Sequence, residues 1–158
     1  MTDYCDFSDL PAATCSHCHP PVVHTTQRQA PGEKADNGYA RAIFKAMVLE
    51  VRPDAAVLDP GNADELTVDG TRVWVKATLE PEGGKASFQF HDGARMLAVS
   101  VDYIALVNTA LGEVQMIGKA DADAEARLQL EISTSGRITL KPKSPRVQPH
   151  VRTVGDVF

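Results

Sequence analysis

The stretch that decides the fold is residues 62–79, which read Asn-Ala-Asp-Glu-Leu-Thr-Val-Asp-Gly-Thr-Arg-Val-Trp-Val-Lys-Ala-Thr-Leu. Two short runs in which apolar residues alternate with polar ones flank Asp69-Gly70. Asp-Gly in this setting favours a type I′ turn, because such a turn requires a positive φ at both of its central residues. The stretch therefore predicts a β-hairpin with a two-residue loop.

A two-residue loop fixes which residues face each other across the hairpin. The predicted pairs are Val68 with Thr71, Leu66 with Val73, Glu65 with Trp74, and Asp64 with Val75. Side chains alternate between the two faces of a strand. One face is then apolar and should lie against the core, and it carries Leu66, Val73, Val75 and Ala77. The other face presents Glu65, Trp74 and Lys76.

The residues around the hairpin predict further helices and strands. Apolar residues at helical spacing run from Tyr39 to Val51, with Asp36 or Asn37 available as the N-cap and Pro53 ending the helix. Shorter apolar runs predict strands at 55–58, 87–90, 101–107, 113–117 and 136–140, and helices at 94–99 and 120–130. This order predicts an α/β (α+β) layered domain with a mixed β-sheet and flanking helices.

The chain divides into three segments by composition. Residues 1–34 form a Cys- and His-rich leader that ends in a polar linker, and residues 35–140 form the α/β domain. We expect the charged helix at 120–130 to be exposed and to end the compact part of the chain. Residues 141–158 are rich in proline and in basic side chains, so they predict an extended, mobile tail.

Composition also limits the class of protein. With 158 residues, an apolar fraction of 43% and a charged fraction of 23%, the chain suits one ordinary globular domain. A net charge of −5 excludes an overall cationic surface, although a local basic groove for nucleic acid is compatible with it. The acidic N-terminus lacks an apolar signal sequence, and no apolar run reaches the roughly 18 residues of a membrane span. We therefore expect a cytoplasmic protein without a membrane partner.

The leader predicts a structural zinc site. Cys5, Cys15 and Cys18 are all the cysteines of the chain, and the last two form a CxxC motif. Such a motif presents two thiolates to one tetrahedral Zn²⁺ ion, Cys5 supplies a third ligand, and His19 or His24 supplies the fourth. Few apolar residues are present, so a metal would order the segment. The alternative is a disordered leader with free thiols, because the cytoplasm disfavours disulfides.

Residues 15–19 also match the CxxCH pattern of covalent haem attachment. That attachment takes place outside the cytosol and would leave Cys5 without a role, so the zinc interpretation is preferred. A CxxC redox motif is disfavoured as well, because no βαβ pattern surrounds it.

The hairpin resembles the core of the PD-(D/E)XK nuclease superfamily, also called restriction-endonuclease-like, and the resemblance covers about residues 35–118. That family places an Asp at the start of one hairpin strand and an acid-x-Lys motif on the next. Asp64 and Lys76 match those positions, whereas Trp74 stands where the second acid belongs. In several branches a Gln shortly after the Lys contributes to the site, and Gln89 would be that residue.

The resemblance implies a Mg²⁺-dependent nuclease that acts on DNA, as a small accessory protein of DNA metabolism. Mg²⁺ prefers oxygen ligands, which implies Asp64 as one of them. The hairpin register offers Glu65, on the face of Lys76, as the substitute for the missing acid. Lys76 would orient or deprotonate the attacking water, or stabilise developing charge. More distant substitutes for the acid are Asp59, Glu80 and Glu50.

Three interpretations stay open at this stage. The chain is an active nuclease with a rearranged acid, a catalytically inactive nuclease-like domain that binds DNA or a protein partner, or a domain whose hairpin charges are ordinary surface residues. An exposed Trp74 beside Arg72 would suit single-stranded nucleic acid, although a tryptophan is more often packed. The pair His91-Asp92 is far more typical of a turn than of a catalytic dyad.

Overall fold

A computed structural model describes residues 35–60 and 64–158. In chain order the elements are α1 (Asn37–Val51), β1 (Val57–Leu58), β2 (Glu65–Val68), β3 (Thr71–Thr78), β4 (Phe88–Phe90), α2 (Gly93–Ala98), β5 (Tyr103–Asn108), β6 (Glu113–Gly118), α3 (Lys119–Ile132), β7 (Ile138–Leu140), β8 (Val151–Arg152) and α4 (Val154–Val157). The leader lies outside the described residues, and with it the predicted zinc ligands Cys5, Cys15, Cys18 and His19.

The hairpin forms as the sequence predicts. Asp69 and Gly70 have positive φ values of 49° and 85°, as a type I′ turn requires. Strands β2 and β3 pair antiparallel, with Glu65 opposite Trp74 and Val68 opposite Thr71. The Val75 amide donates to the Asp64 carbonyl over 2.8 Å, which continues the same register. The predicted register is therefore confirmed.

A mixed, six-stranded sheet forms the centre of the domain. Its strand order is β1-β2-β3-β5-β6-β8, and β3 with β5 is its parallel pair while the other neighbouring strands are antiparallel. Helices flank both faces of this sheet, which confirms the predicted mixed α/β class. β3 lies inside the sheet, with the hairpin partner β2 on one side and β5 on the other.

Helix α1 covers one face of the sheet. Its N-cap is Asp36, whose carboxylate accepts hydrogen bonds from the Gly38 and Tyr39 amides, and it ends before Pro53 as predicted. Phe44 and Val48 are fully buried against Val73 and Val75 of β3. The apolar face of the hairpin thus becomes the first core cluster, and α1 is fixed over β3.

The opposite face packs on a second cluster, which contains a small separate sheet. β4 does not join the central sheet but pairs antiparallel with β7, with Phe90 opposite Ile138. Phe88 and Phe90 point into the core together with Ile104 and Leu106 of β5. α3 packs on the same cluster through Ala122 and Ala126, so the expectation of an exposed terminal helix is wrong for this face.

The expectation of an extended, mobile tail after residue 140 is also wrong. β8 pairs with β6 and closes one edge of the central sheet. Val147 and Val154 are each only 2% exposed, and the Phe158 ring lies 6.2 Å from that of Phe44. The Arg146 guanidinium binds the buried Glu125 carboxylate of α3 over 2.7 Å. Burial of these apolar side chains and the charge pair keep residues 141–158 on the domain.

None of the helices in residues 35–60 and 64–158 is long and apolar enough to span a membrane.

Candidate functional site

A cleft opens beside the carboxyl-terminal half of β3. It has a volume of about 540 Å³. The start of α1 contributes Ala35 and Asn37 to its wall, β3 and the residues after it contribute 76–79, and the β4 segment contributes Ser87, Gln89 and His91. Three elements that are distant in sequence therefore meet at the hairpin end that carries the candidate catalytic residues.

Asp64 is held at the entrance to β2 by two hydrogen bonds. Its backbone carbonyl accepts from Val75, and its carboxylate accepts a hydrogen bond from the side-chain amide of Asn37. Asn37 is the first residue of α1 and also lines the cleft. The helix start thus fixes an acid that the strand register by itself would direct towards the core face.

Lys76 reaches the cleft from the face of β3 opposite α1. Its side chain is half-buried, and its Nζ lies 5.1 Å from the centre of the Phe90 ring, a cation–π distance. Burial lowers the pKa of Lys76, and the nearby Asp64 carboxylate opposes this by favouring the charged form. A partly desolvated ammonium group next to a carboxylate is a group suited to act on an anionic substrate.

Gln89 and His91 form the wall of the cleft on the β4 side. Along β4 the side chains alternate, so that Phe88 and Phe90 are buried while Gln89 is exposed, and His91, the residue after the strand, is also exposed. The structure therefore places Lys76 and Gln89 on the wall of one cleft, and Asp64 adjoins this cleft through its hydrogen bond to Asn37. From the sequence, Asn37 was identified only as a possible helix cap. The signal for its further role was that it is a polar residue at the start of the helix that covers the hairpin.

Glu65 points away from this cleft. Its carboxylate forms a salt bridge with Arg72 on the neighbouring strand, with Oε1 to Nη2 and Nε distances of 2.6 and 2.7 Å. It also lines a different groove, which runs along β1 past Leu58 and Pro60. In this conformation Glu65 and Asp64 do not share a site, and Arg72 is engaged by Glu65.

Trp74 is packed in the molecule. Its ring meets Phe90 edge to face at 5.1 Å between centroids and an interplanar angle of 79°. The side chain is half-buried against the second core cluster. The predicted nucleic-acid contacts of Trp74 and Arg72 therefore involve groups that already have protein partners.

The more distant acids have other partners or positions. Asp59 lies 3.4 Å from both Arg41 and Lys45 of α1. The backbone of Glu80 exchanges two hydrogen bonds with the side chain of Asn108. Glu50 lies 13 residues after Asn37 on α1, which is about 20 Å along the helix axis. Asp92 caps α2 by accepting from the Arg95 amide over 3.1 Å, so it serves the helix rather than His91.

The donor atoms of the cleft suit a hard divalent cation held by few protein ligands. They are the side-chain amides of Asn37 and Gln89 in the cleft wall and the carboxylate of Asp64, which Asn37 binds. Mg²⁺ commonly binds through one or two carboxylates and completes its shell with water and substrate phosphate oxygens. Within the described residues, no three His, Cys, Asp or Glu side chains are grouped to hold a metal. A Mg²⁺ ion at these donors would be held by Asp64, Asn37 and Gln89, with water or substrate oxygens completing its shell.

Comparisons of the chain with protein-family models, with curated proteins and with solved structures found no significant match.

Proposed function

We propose that this protein is a metal-dependent phosphodiesterase, a nuclease of the PD-(D/E)XK type that acts on DNA. The observation that carries the proposal is the half-buried Lys76 ammonium on the wall of an open cleft beside β3, with the Asp64 carboxylate near enough to favour its charged form. Both residues occupy the positions that the hairpin resemblance assigns to catalysis. Gln89 on the facing wall adds a third residue of the implied set.

The order of the elements supports the same proposal. A helix, a short strand, a hairpin, a further short strand (β4), a second helix and a strand parallel to the second hairpin strand follow one another from α1 to β5. This is the order that the nuclease resemblance leads us to expect for residues 35–118. Catalytic side chains on a central strand are also held more rigidly than side chains on a loop.

Each residue of the cleft has a defined task in phosphodiester hydrolysis. When bound, Mg²⁺ supplies charge neutralisation at the phosphate and a polarised water. Asp64, fixed by Asn37, provides the anionic oxygens of that site. Lys76 orients the attacking water and stabilises the charge that develops on the non-bridging phosphate oxygens. The Gln89 amide donates to the phosphate and fixes its orientation.

The proposal needs only one carboxylate. Glu65 is engaged with Arg72 and would have to leave that salt bridge to reach a cation at Asp64. Exposed salt bridges contribute only about 0–1 kcal/mol. The movement is therefore favourable if binding of the cation to Glu65 gains more free energy than this. Mutagenesis of Glu65 therefore tests whether its carboxylate binds the cation or stays in the salt bridge with Arg72.

Asp64→Asn should abolish metal-dependent cleavage. We expect the wild type to nick or linearise plasmid DNA with Mg²⁺ or Mn²⁺ and to be inactive with a chelator. The substitution keeps the size of the side chain and removes its charge, and the rate should fall about 10²–10³-fold, as when a dominant electrostatic contact is lost. Asp54→Asn, on the exposed turn after α1, is the matched control and should cleave normally.

Glu65→Gln in the same assay separates the two forms of the proposed site. Retention of activity supports a site built on Asp64 alone, and a loss similar to that of Asp64→Asn shows that Glu65 joins it. A wild type that cleaves neither DNA strand with either metal contradicts the proposed activity.

A binding domain without catalysis is the second candidate, and the packing of Trp74 favours it. The side chain that occupies the second acid position is apolar and fixed against Phe90. A tryptophan cannot ligate a cation, because its indole nitrogen only donates. In this case DNA or a protein partner would bind without metal dependence, and DNA affinity would fall steeply as salt rises.

Trp74→Glu tests this second candidate by supplying the missing acid on the face of Lys76. If the wild type is inactive and the variant gains metal-dependent cleavage, the domain is a nuclease scaffold that has lost catalysis. The variant also loses the Phe90 contact, so we expect a stability loss of about 1–3 kcal/mol, less than the roughly 3–5 kcal/mol for truncating a fully buried aromatic, because Trp74 is only half-buried. Trp74→Gln has the same packing defect without the charge and should gain no activity.

A further inference from the structure

We infer that the outward face of the small sheet formed by β4 and β7 binds the sugar–phosphate backbone of the DNA strand that enters the cleft. The inference rests on the proposed function, because it names the surface that holds the substrate of that cleft. It is carried by two exposed cations of β7 and its flanks, Arg137 and Lys141, which continue the wall that β4 gives to the cleft.

The pairing of β4 with β7 places polar side chains on one face of the small sheet. Gln89 lies opposite Thr139, and the pairs on either side of them are apolar and buried in the second core cluster. Residues that lie directly opposite each other share a face. Continuation of this register by one pair at each end adds four side chains to the face. The β4–β7 face therefore consists of Ser87, Gln89, His91, Arg137, Thr139 and Lys141.

The burial of the β7 residues agrees with this register. Ile138 and Leu140 are fully buried, whereas Arg137 and Lys141 are exposed and Thr139 is half-buried. The two cations are four residues apart, which is about 13 Å along an extended strand. The β4 row of the face, residues 87, 89 and 91, lines the cleft. The β7 row lies one strand further out, about 4.8 Å away, and so it extends the cleft wall.

The backbone of β7 is fixed on both of its edges. On one edge, the Gln129 side chain of α3 donates to the Thr139 carbonyl over 2.7 Å and accepts from the Thr139 amide over 2.8 Å. On the other edge, the Gly93 amide donates to the Gly136 carbonyl over 2.7 Å. A Cβ at Gly93 would lie 2.9 Å from Ile138, so the glycine allows this close approach. Both cations are therefore positioned by a rigid element.

The charges of Arg137 and Lys141 are available to an anion. Within residues 35–60 and 64–158, neither side chain forms an ion pair, whereas Arg146, a few positions later, binds Glu125. The β4–β7 face has no acidic residue, although the chain has 21 acidic and 16 basic ones. A positive surface on a protein with a net charge of −5 favours binding of a polyanion at that surface.

The side chains of the face are of the kinds that contact phosphate and sugar. Arg and Lys pair with phosphate oxygens, and Ser, Thr and Gln donate hydrogen bonds to them. A nucleic-acid strand lying along β7 would meet a cation at each end of the row and hydroxyl and amide groups between them. The adjoining cleft, with Lys76, would then receive one of its phosphates. Because such contacts do not read bases, we expect binding that is independent of sequence.

The test measures binding of a fluorescent, mixed-sequence, single-stranded oligodeoxynucleotide by anisotropy, without divalent cation and at several salt concentrations. Arg137→Gln and Lys141→Gln should each weaken binding about fivefold at about 0.1 M salt, because each loses one phosphate contact. Each should also reduce the slope of log K against log salt by about 0.7, the value for one contact on a single strand. The double variant should lose about 25-fold in affinity and about 1.4 in slope.

Two controls separate a local contact from a change in net charge or in folding. Arg152→Gln removes the same charge from β8, at the far edge of the central sheet, and should bind like the wild type. An oligonucleotide with uncharged methylphosphonate linkages should bind the wild type and the double variant equally weakly. All variants should unfold at the wild-type urea concentration, because the substituted side chains are exposed.

Cleavage kinetics give a second readout that is specific to binding. With Mg²⁺, kcat/KM of the double variant should fall by the same factor as its affinity, while kcat at saturating DNA stays at the wild-type value. This pattern is expected for residues that bind the ground state and the transition state equally.

The opposing outcomes are distinct. If the wild type binds and cleaves DNA and the double variant binds with the same affinity and salt slope, the face is not the binding surface, while the proposed function stands. Displacement of the oligonucleotide by poly-glutamate as effectively as by unlabelled DNA also overturns the inference, because the surface then serves acidic polypeptides. If the variants lose affinity as expected but the wild type cleaves no DNA with Mg²⁺ or Mn²⁺, the proposed activity fails and the face remains the DNA-binding surface.

Discussion

Lys76→Met is expected to lower the rate of metal-dependent DNA cleavage by about 10²–10³-fold, the effect of removing one preorganised donor from a site of developing charge. Methionine keeps the length and packing of the aliphatic chain over Phe90 and removes the ammonium group. The measurement is the cleavage rate under single-turnover conditions with Mg²⁺. Lys85→Met is the matched control, since Lys85 is exposed in the loop before β4 and pairs only with nearby Glu82.

The same substitution should change how stability depends on pH. Burial lowers the pKa of Lys76 in the folded state below its ordinary value of 10.5. Between these two values the unfolded chain binds more protons than the folded one, so wild-type stability rises with pH in that window. The cost of burying the charged lysine is fully present below the folded-state pKa and is relieved as pH rises towards 10.5. Lys76→Met removes that cost at every pH.

The stability of Lys76→Met relative to the wild type should therefore be highest near neutral pH and should decrease as pH rises through the window. Urea unfolding of both proteins between pH 7 and about pH 10.5 measures this difference. A relative stability that increases with pH would contradict the direction of the Lys76 pKa. A variant that is stable but cleaves DNA at the wild-type rate would remove Lys76 from the proposed mechanism.

Removal of residues 147–158 should strongly destabilise the folded domain. The deletion removes two valines that are each 2% exposed, Val147 and Val154, and it opens the edge of β6. Each buried valine contributes about 1.5–3 kcal/mol, so the loss is about 3–6 kcal/mol before the Phe158 contact is counted. That is a large part of the roughly 5–15 kcal/mol that stabilises a domain.

A point substitution makes the same test without removing backbone. Val154→Ala should cost about 1.5–3 kcal/mol in urea unfolding, because it deletes two buried methyl groups and leaves a cavity beside α1. Val51→Ala at the exposed end of α1, where the side chain is 42% exposed, is the control and should change stability by less than about 0.5 kcal/mol. A truncated protein that unfolds at the wild-type urea concentration would show that the segment contributes nothing to the folded state.

The sequence by itself determined the features that depend on local chemistry. The positive φ requirement of Asp69-Gly70 set the hairpin register, and Asp36 with Pro53 set the ends of α1. Because a register fixes faces, it also identified Lys76 as lying opposite the core side of β3. These signals act over a few residues, so they do not depend on the rest of the chain.

Only the tertiary structure decided the partners of the candidate site residues. The register placed Glu65 near Lys76 equally well, but Arg72, two pairs further along the hairpin, competes for its carboxylate. Asn37 reaches Asp64 across 27 positions of sequence, and no local pattern reports such a contact. The strand position of Trp74 is compatible with an exposed side chain. It is packed instead, because β4 places Phe90 beside it.

The packing of β4 and of the chain end also depends on residues that are distant in the sequence. β4 has the alternation of a sheet strand, yet it pairs with β7, whose residues lie about 48 to 52 positions further along the chain. Residues 141–158 look like a tail because proline and basic residues dominate their composition, while the few apolar side chains that anchor them fill gaps beside α1 and α3. Amino-acid composition does not show which side chains are buried, because burial depends on the spaces that the other elements of the folded domain leave.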